Sequence, residues 1–128
     1  MNVGIICTAV LGLLLFGLGL YVSILRRRTG RSMGCDTGPT DPLHRAVRAH
    51  GNTAEYAPFF AVLFLWFAVH PGPVWVSVAI VLATLARVSL VAGLLWGPSL
   101  DKPTPARFVG ALLTYVTGLA LAVRLLLG

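Results

Sequence analysis

The chain has 128 residues, of which 57% are hydrophobic and 11% are charged, with a net charge of +6 and a mean hydropathy of +0.86. A soluble domain of this length needs many more charges to cover its surface, so these values predict one integral membrane domain over residues 1–128. The basic residues flank the apolar segments, which favours contact with anionic lipid head groups and argues against nucleic-acid binding.

The first apolar segment, residues 3–25, is long enough to cross the hydrocarbon core of a bilayer. Arginines follow it at positions 26, 27, 28 and 31, and no basic side chain precedes it. This is the reverse of the charge order in a cleaved signal peptide, so we expect a retained helix. A polar loop rich in glycine, proline and aspartate comes next.

Three more spans follow along the chain. Asp41 and Pro42 are a typical cap and first residue of a helix, which we predict over residues 43–69. The turn His-Pro-Gly-Pro at residues 70–73 ends that helix, and a third span is predicted over residues 74–96. After a further loop that contains glycine and proline, the fourth span covers residues 106–127. The sequence thus predicts an all-α bundle of four transmembrane helices.

The loops differ in charge. The first loop carries four arginines and the third carries Lys102 with Arg107 beside it, whereas the second carries no basic residue. Short basic loops remain in the cytoplasm, so we expect the first and third loops inside and both termini outside. Arg124, near the outer end of the fourth span, is the exception to this pattern.

The fourth span repeats small residues every four positions. They are Ala106, Gly110, Thr114, Gly118 and Ala122. Membrane helices associate where small side chains allow close backbone contact, so this stripe predicts a helix–helix seam. A substrate groove is the functional alternative.

Polar side chains concentrate on one face of the second helix. At about 100° per residue, one stripe contains Arg45, Arg48, Asn52, Glu55 and Tyr56. A charge near the middle of a membrane helix costs about 2.5–3.5 kcal/mol, so we expect this stripe to face the bundle interior. Arginine forks bind carboxylates and a glutamate can hold an ammonium, so the stripe suits a small zwitterionic ligand.

Glu55 and Arg87 lie equally far from Pro71, on either side of it. In an antiparallel hairpin this places the two side chains at the same depth. A structural salt bridge that fixes the register of the two helices is one interpretation, and a shared ligand site is the other. The histidines and the two cysteines show no metal-ligand spacing, so we predict no metal site.

The segment at residues 48–58, RAHGNTAEYAP, carries a family resemblance. Together with the four spans, the arginine-rich first loop and an arginine late in the third span, it resembles the membrane-associated proteins in eicosanoid and glutathione metabolism (MAPEG), and most closely small bacterial members. The resemblance implies a homotrimer in a bacterial inner membrane that binds glutathione between subunits near the cytoplasmic face. It implies glutathione contacts from Arg48, Asn52, Glu55 and Tyr56, from His50 across a subunit boundary, and from Arg27 or Arg28. The polar stripe adds Arg45 to this set, and the shared depth with Glu55 adds Arg87.

The chain departs from the family pattern at two places. Leukotriene-forming members have tyrosines where this chain has Leu90 and Leu94, and an arginine beyond the third helix that stabilises the glutathione thiolate. Here Lys102 or Arg107 would have to supply that cation. These departures support ligand binding better than catalysis, but the resemblance still implies, as the leading prediction, a glutathione-dependent transferase or peroxidase that acts on lipophilic electrophiles arriving through the bilayer. A glutathione-binding or structural protein without catalysis is the alternative. A small transporter is disfavoured because the first span has no charged residue.

Overall fold

The computed structural model describes residues 2–128, which form four α-helices. They are α1 (Val3–Thr29), α2 (Pro42–Val69), α3 (Val74–Trp96) and α4 (Pro105–Leu127). Each is long and apolar enough to cross a membrane, and residues 2–128 contain no strand. The predicted all-α membrane fold is therefore confirmed, and the chain is a multi-pass integral membrane protein.

Local capping explains where α1 begins and ends. The side chain of Asn2 accepts a hydrogen bond from the main-chain N–H of Gly4. The helix runs to Thr29, four residues beyond the predicted end, and stops at Gly30, which has a φ of 68°. Glycine adopts this left-handed conformation without steric cost. Three arginines occupy the last turn, where cations interact favourably with the helix dipole.

The other helices begin and end within one residue of the predicted positions. Asp41 caps α2 by accepting a hydrogen bond from the N–H of His44 at 2.8 Å, and Thr104 caps α4 through the N–H of Arg107 at 3.3 Å. A proline occupies the first position of each of these two helices, where its missing N–H costs nothing.

The bundle has two distinct ends. We call the end with residues 30–41 and 97–104 the loop end, and the end with residues 70–73 the hairpin end. Within the bundle, α3 packs most extensively on α4, and α1 packs on α2. Helices α2 and α4 contact each other over only a short stretch, which leaves a groove between them. The main apolar cluster includes Phe60, Phe64 and Ile80, and a smaller one includes Leu18 and Leu94.

The two halves of the small-residue stripe of α4 have different neighbours. A Cβ atom placed on Gly110 would come within 2.8 Å of the carbonyl oxygen of Ala86, and Thr114 is buried beside it. This part of the stripe is a close seam with α3, as predicted. Gly118 and Ala122 instead line the groove between α2 and α4.

Candidate functional site

A buried arginine connects three helices near the middle of the bundle. Arg87 on α3 is only 1% exposed. Its Nη2 donates to the main-chain oxygen of Asn52 at 3.0 Å and to its Oδ1 at 2.6 Å, while Nη1 lies 3.5 Å from Oγ1 of Thr114 on α4. The guanidinium carbon also lies 5.0 Å from the ring centroid of Tyr56, within cation–π range. We call Asn52, Tyr56, Arg87 and Thr114 the polar cluster.

The predicted salt bridge between Glu55 and Arg87 is wrong. Within residues 2–128 the ion pair that forms is Arg31 with Asp36, at 3.8 Å. Glu55 is exposed, and Arg87 pairs with Asn52, about one helical turn nearer the loop end. The predicted depth of Arg87 was therefore correct to within a turn, although the partner was not.

The polar stripe of α2 divides into two sides, which explains this difference. On the wheel of about 100° per residue, Asn52 and Tyr56 lie within roughly 20° of Arg45, and all three face the chain's own helices. Arg48 and Glu55 lie roughly 60–80° to one side and are exposed. We call these the inner side and the outer side of α2. A helical wheel alone could not place the boundary between them.

Tyr115 lies beside the polar cluster, and sequence reasoning missed it. Its hydroxyl lies 3.5 Å from the hydroxyl of Tyr56, and the two rings meet edge to face with centroids 6.0 Å apart. Tyr115 lies in an apolar run of α4 with no charged neighbour. The only available signal was its place directly after Thr114 on the small-residue stripe.

A cationic cavity opens toward the loop end. This loop-end cleft has a volume of about 280 Å³. It is lined by Arg48, Asn52, Leu90, Leu94, Pro103, Arg107, Phe108 and Ala111. Two arginines thus stand beside an apolar surface that contains the leucines at positions 90 and 94. The cleft can accept a small anion that also carries an apolar part.

An apolar groove lies on the other side of the polar cluster. It runs between α2 and α4 with a volume of about 360 Å³. Its lining residues are Glu55, Tyr56, Phe59, Phe60, Leu63, Thr114, Tyr115, Gly118, Leu119 and Ala122. Asn52 lines the loop-end cleft and Tyr56 lines this α2–α4 groove, while Arg87 contacts both residues. The cationic loop-end cleft and the apolar α2–α4 groove are therefore neighbours, and the buried guanidinium of Arg87 lies between them.

Arg45 holds the end of α3. Its Nη1 donates to the carbonyl oxygens of Leu95 at 3.1 Å and Gly97 at 2.5 Å, and its Nη2 donates to that of Pro98 at 2.8 Å. The last carbonyls of a helix have no partner within the helix, so a cation placed here satisfies them. The structure gives Arg45 a capping role and places its guanidinium outside the lining of the loop-end cleft.

Arg107 shapes the loop between α3 and α4. Its Nη1 donates to the carbonyl oxygens of Ser99, Leu100 and Lys102 at 3.3, 3.0 and 2.9 Å, and its side chain also lines the loop-end cleft. The side chain of Lys102 is exposed and lies outside that lining. A hydrogen bond from the Ser99 hydroxyl lowers the pKa of Asp101 beside it.

His50 and the first-loop arginines lie apart from the cleft in this chain. His50 faces α1, because a Cβ atom placed on Gly19 would come within 3.3 Å of its Nε2. Arg27 and Arg28 are exposed and line a separate cavity of about 330 Å³ with Ile24. Residues 2–128 contain no group of three or more His, Cys, Asp or Glu side chains able to hold a metal ion.

A comparison with protein families finds a match over nearly the whole chain. The model described as MAPEG family matches residues 4–127, so the match extends from the first turn of α1 to the last residue of α4. It includes the polar cluster, the loop-end cleft and the α2–α4 groove. No curated protein and no solved structure matches the chain significantly.

Proposed function

The chain belongs to the MAPEG family, and from this we propose that it binds glutathione and transfers its thiolate to lipophilic electrophiles, as a transferase or a peroxidase. Family membership supports a membrane protein of eicosanoid or glutathione metabolism. The observation that supports the finer proposal is the position of the polar cluster between a cationic cleft and an apolar groove. A polar co-substrate and an apolar substrate can approach each other there.

Charge complementarity supports the loop-end cleft as the glutathione site. Glutathione carries two carboxylates, and Arg48 presents an exposed guanidinium that can bind one of them through two parallel hydrogen bonds. The side-chain amide of Asn52 lies on the same wall. The volume of about 280 Å³ is at the lower limit of ligand pockets, which run from roughly 300 to 1,000 Å³. A neighbouring subunit that closes the cleft would complete the site.

The outer side of α2 supports assembly into a homotrimer. Six exposed residues follow one another along it at spacings of seven, four, three, four and three positions. They are Arg48, Glu55, Phe59, Val62, Trp66 and Val69. This spacing is typical of a seam between helices. Glu55 lies near the middle of a 28-residue helix, where a carboxylate facing lipid costs about 2.5–3.5 kcal/mol. Packing α2 against its copies removes that exposure and brings Glu55 within reach of a ligand's ammonium group.

The copy number and the packing face can be measured separately. Sedimentation equilibrium in a density-matched detergent gives the number of chains, for which we expect three. A Val62→Cys variant should form disulfide-linked pairs under mild oxidation, and Leu85→Cys, which is equally exposed on α3, should not. A monomer in sedimentation, or equal cross-linking of both variants, would contradict the proposed trimer.

The chemistry needs a cation beside the thiol. Arg107 lies on the wall of the cleft, and a nearby cation lowers the pKa of a thiol and raises its thiolate fraction. The thiolate then forms a C–S bond with an electrophilic carbon while the leaving group departs with its electron pair. With a hydroperoxide it attacks oxygen and releases the alcohol, and a second glutathione forms the disulfide and water. Tyr56 and Tyr115 can donate the proton that the leaving oxygen takes.

Turnover in proteoliposomes tests this function. Glutathione is supplied with a lipophilic aryl halide in one assay and with a lipid hydroperoxide in another. We expect product formation that decreases strongly in Arg107→Gln and persists in the matched variant Lys102→Gln, because only Arg107 lines the cleft. Absence of product in both assays from a chain that does not bind glutathione would refute the proposal.

A binding protein without catalysis is the second candidate. It is favoured by Leu90 and Leu94, which give the loop-end cleft an apolar wall where a hydroxyl could otherwise contact the thiol. Saturable glutathione binding without turnover and without the ultraviolet absorbance of a thiolate would support this candidate.

We also propose that the loop end faces the cytoplasm of a bacterial inner membrane. Four arginines within residues 26–31 and the lysine of the loop before α4 support this orientation, because short basic loops remain in the cytoplasm. Cys35 lies in the first loop, and Cys7 is buried. A membrane-impermeant maleimide should therefore label Cys35 in inverted membrane vesicles and leave it unlabelled in intact spheroplasts. The opposite pattern would reverse the proposed orientation.

A further inference from the structure

A second cavity lies at the hairpin end, remote from the polar cluster. Its volume is about 520 Å³, and it is bounded by the end of α2, the turn at residues 70–73 and the end of α4. Arg124 and His70 provide its polar lining, and Trp66, Phe67, Val69 and Leu125 provide most of its apolar lining. The cavity combines a cation with an apolar wall at one end of the membrane-spanning helices.

No Asp or Glu side chain lies near Arg124 at this end of the bundle. The chain contains four acidic residues, which are Asp36, Asp41, Glu55 and Asp101. Three of them are at the loop end and Glu55 lies near the middle of α2. A second copy of the chain has the same distribution, so self-association cannot supply a carboxylate side chain either. Arg124 forms no ion pair within residues 2–128, and Arg124 is the only lysine or arginine at the hairpin end.

The neighbours of Arg124 are arranged to leave room for a ligand. A Cβ atom placed on Gly72 would lie 3.9 Å from Nε of Arg124, so the guanidinium reaches toward the turn. His70 is held in place, since its ring stacks on Trp66 with centroids 4.1 Å apart and its Nδ1 lies 3.2 Å from the carbonyl oxygen of Trp66. Nε2 of His70 therefore remains for a further contact. Tryptophan is enriched at the level of lipid head groups.

From this placement we propose that the cavity binds the phosphate of an anionic glycerophospholipid. An arginine fork matches the geometry of a phosphate and can bind it through two hydrogen bonds. Phe67, Val69 and Leu125 offer the acyl chain an apolar wall that free phosphate could not use. No Asp or Glu side chain lies at the hairpin end to hold an ammonium group, which favours a head group of net negative charge such as phosphatidylglycerol over phosphatidylcholine.

Fluorescence quenching of Trp66 tests the proposal locally. The variants Trp75→Phe and Trp96→Phe leave Trp66 as the only tryptophan. The chain is reconstituted in phosphatidylcholine vesicles that contain a small fraction of brominated phosphatidylglycerol or, separately, of phosphatidylcholine with the same brominated chains. We expect stronger quenching by the brominated phosphatidylglycerol. Equal quenching by the two lipids would overturn the proposal, and this result requires no variant at Arg124.

Substitutions then locate the site. In Arg124→Gln the preference for the anionic lipid should decrease about tenfold, because the charge-assisted hydrogen bonds to the phosphate are lost. Arg27→Gln, at the loop end, is the matched control and should keep the preference. An unchanged preference in a folded Arg124→Gln chain would overturn the proposal. Relief of quenching by inorganic phosphate alone would assign the site to free phosphate and overturn the lipid as its ligand.

Discussion

The two sides of α2 each carry an arginine, and the two arginines have different surroundings. On the inner side, Arg45 donates to three carbonyl oxygens at the end of α3, and Asn52 receives the buried Arg87. On the outer side, Arg48 and Glu55 are exposed and form no side-chain hydrogen bond or ion pair within residues 2–128. Charges on the inner side are therefore committed to the fold, and those on the outer side remain for a ligand or a neighbouring subunit.

The largest effect is expected where the inner side is most buried. Arg87→Ala removes a nearly inaccessible side chain and leaves Asn52 without its partner, which should lower the free energy of unfolding by about 3 kcal/mol or more. Arg87→Met retains most of the volume and should lose less. Thermal exposure of the buried Cys7 to a thiol-reactive dye, in a Cys35→Ser background, measures both. Equal stability of the Ala variant and the parent would show that this cluster does not hold the helices together.

Arg45 should affect stability without affecting ligand affinity. Arg45→Gln removes bonds to three main-chain oxygens, and we expect a loss of about 2 kcal/mol in the free energy of unfolding, given about 1.5–3 kcal/mol for a hydrogen bond to a charged group and partial replacement by water. The same dye assay gives the value. A chain as stable as the parent would remove the distinction between the two sides of α2.

Arg48 should show the opposite behaviour. Because its side chain is exposed and has no hydrogen bond within residues 2–128, Arg48→Gln should change the free energy of unfolding by no more than about 0.5 kcal/mol. Its loss should appear only in glutathione affinity. A stability loss as large as that of Arg45→Gln would assign Arg48 to the fold as well.

The smallest effect is expected at the contact between α1 and α2. In Gly19→Ala the new Cβ would lie 3.3 Å from Nε2 of His50, a close contact that the imidazole can relieve by a small rotation. We expect a loss below about 1 kcal/mol, toward the low end of the cost of overpacking. Glutathione affinity should stay unchanged if His50 serves packing, whereas a marked decrease would place His50 in the ligand site.

The helices were predictable because membrane spans depend on properties of the sequence itself. The length of an apolar run, a capping Asp41 and a turn at residues 70–73 each set a boundary locally. The depth of Arg87 followed from counting residues along a hairpin. The end of α1 was missed because its last turn is charged and ends at the left-handed Gly30 rather than at a change of polarity.

The site was only partly predictable because it depends on neighbours distant in sequence. The wheel gathered Arg45, Arg48 and Glu55 into one stripe, but the position of the α3 end and of Arg87 decided which of them turned inward. Tyr115 was missed because it stands alone in an apolar run, and its contact with Tyr56 of α2 exists only in the folded chain. The hydrogen bonds from Arg107 to main-chain carbonyl oxygens were likewise not predictable, because they form only when the loop before α4 is folded.

Calorimetric titration of glutathione into the detergent-solubilised parent, Arg48→Gln and Arg45→Gln chains tests the division of α2 most directly. We predict saturable binding to the parent, nearly unchanged affinity in Arg45→Gln, and affinity at least about tenfold weaker in Arg48→Gln, since a charged hydrogen-bond partner is lost. No binding to the parent at millimolar glutathione, or equal weakening in both variants, would contradict the assignment of the outer side of α2 to the ligand.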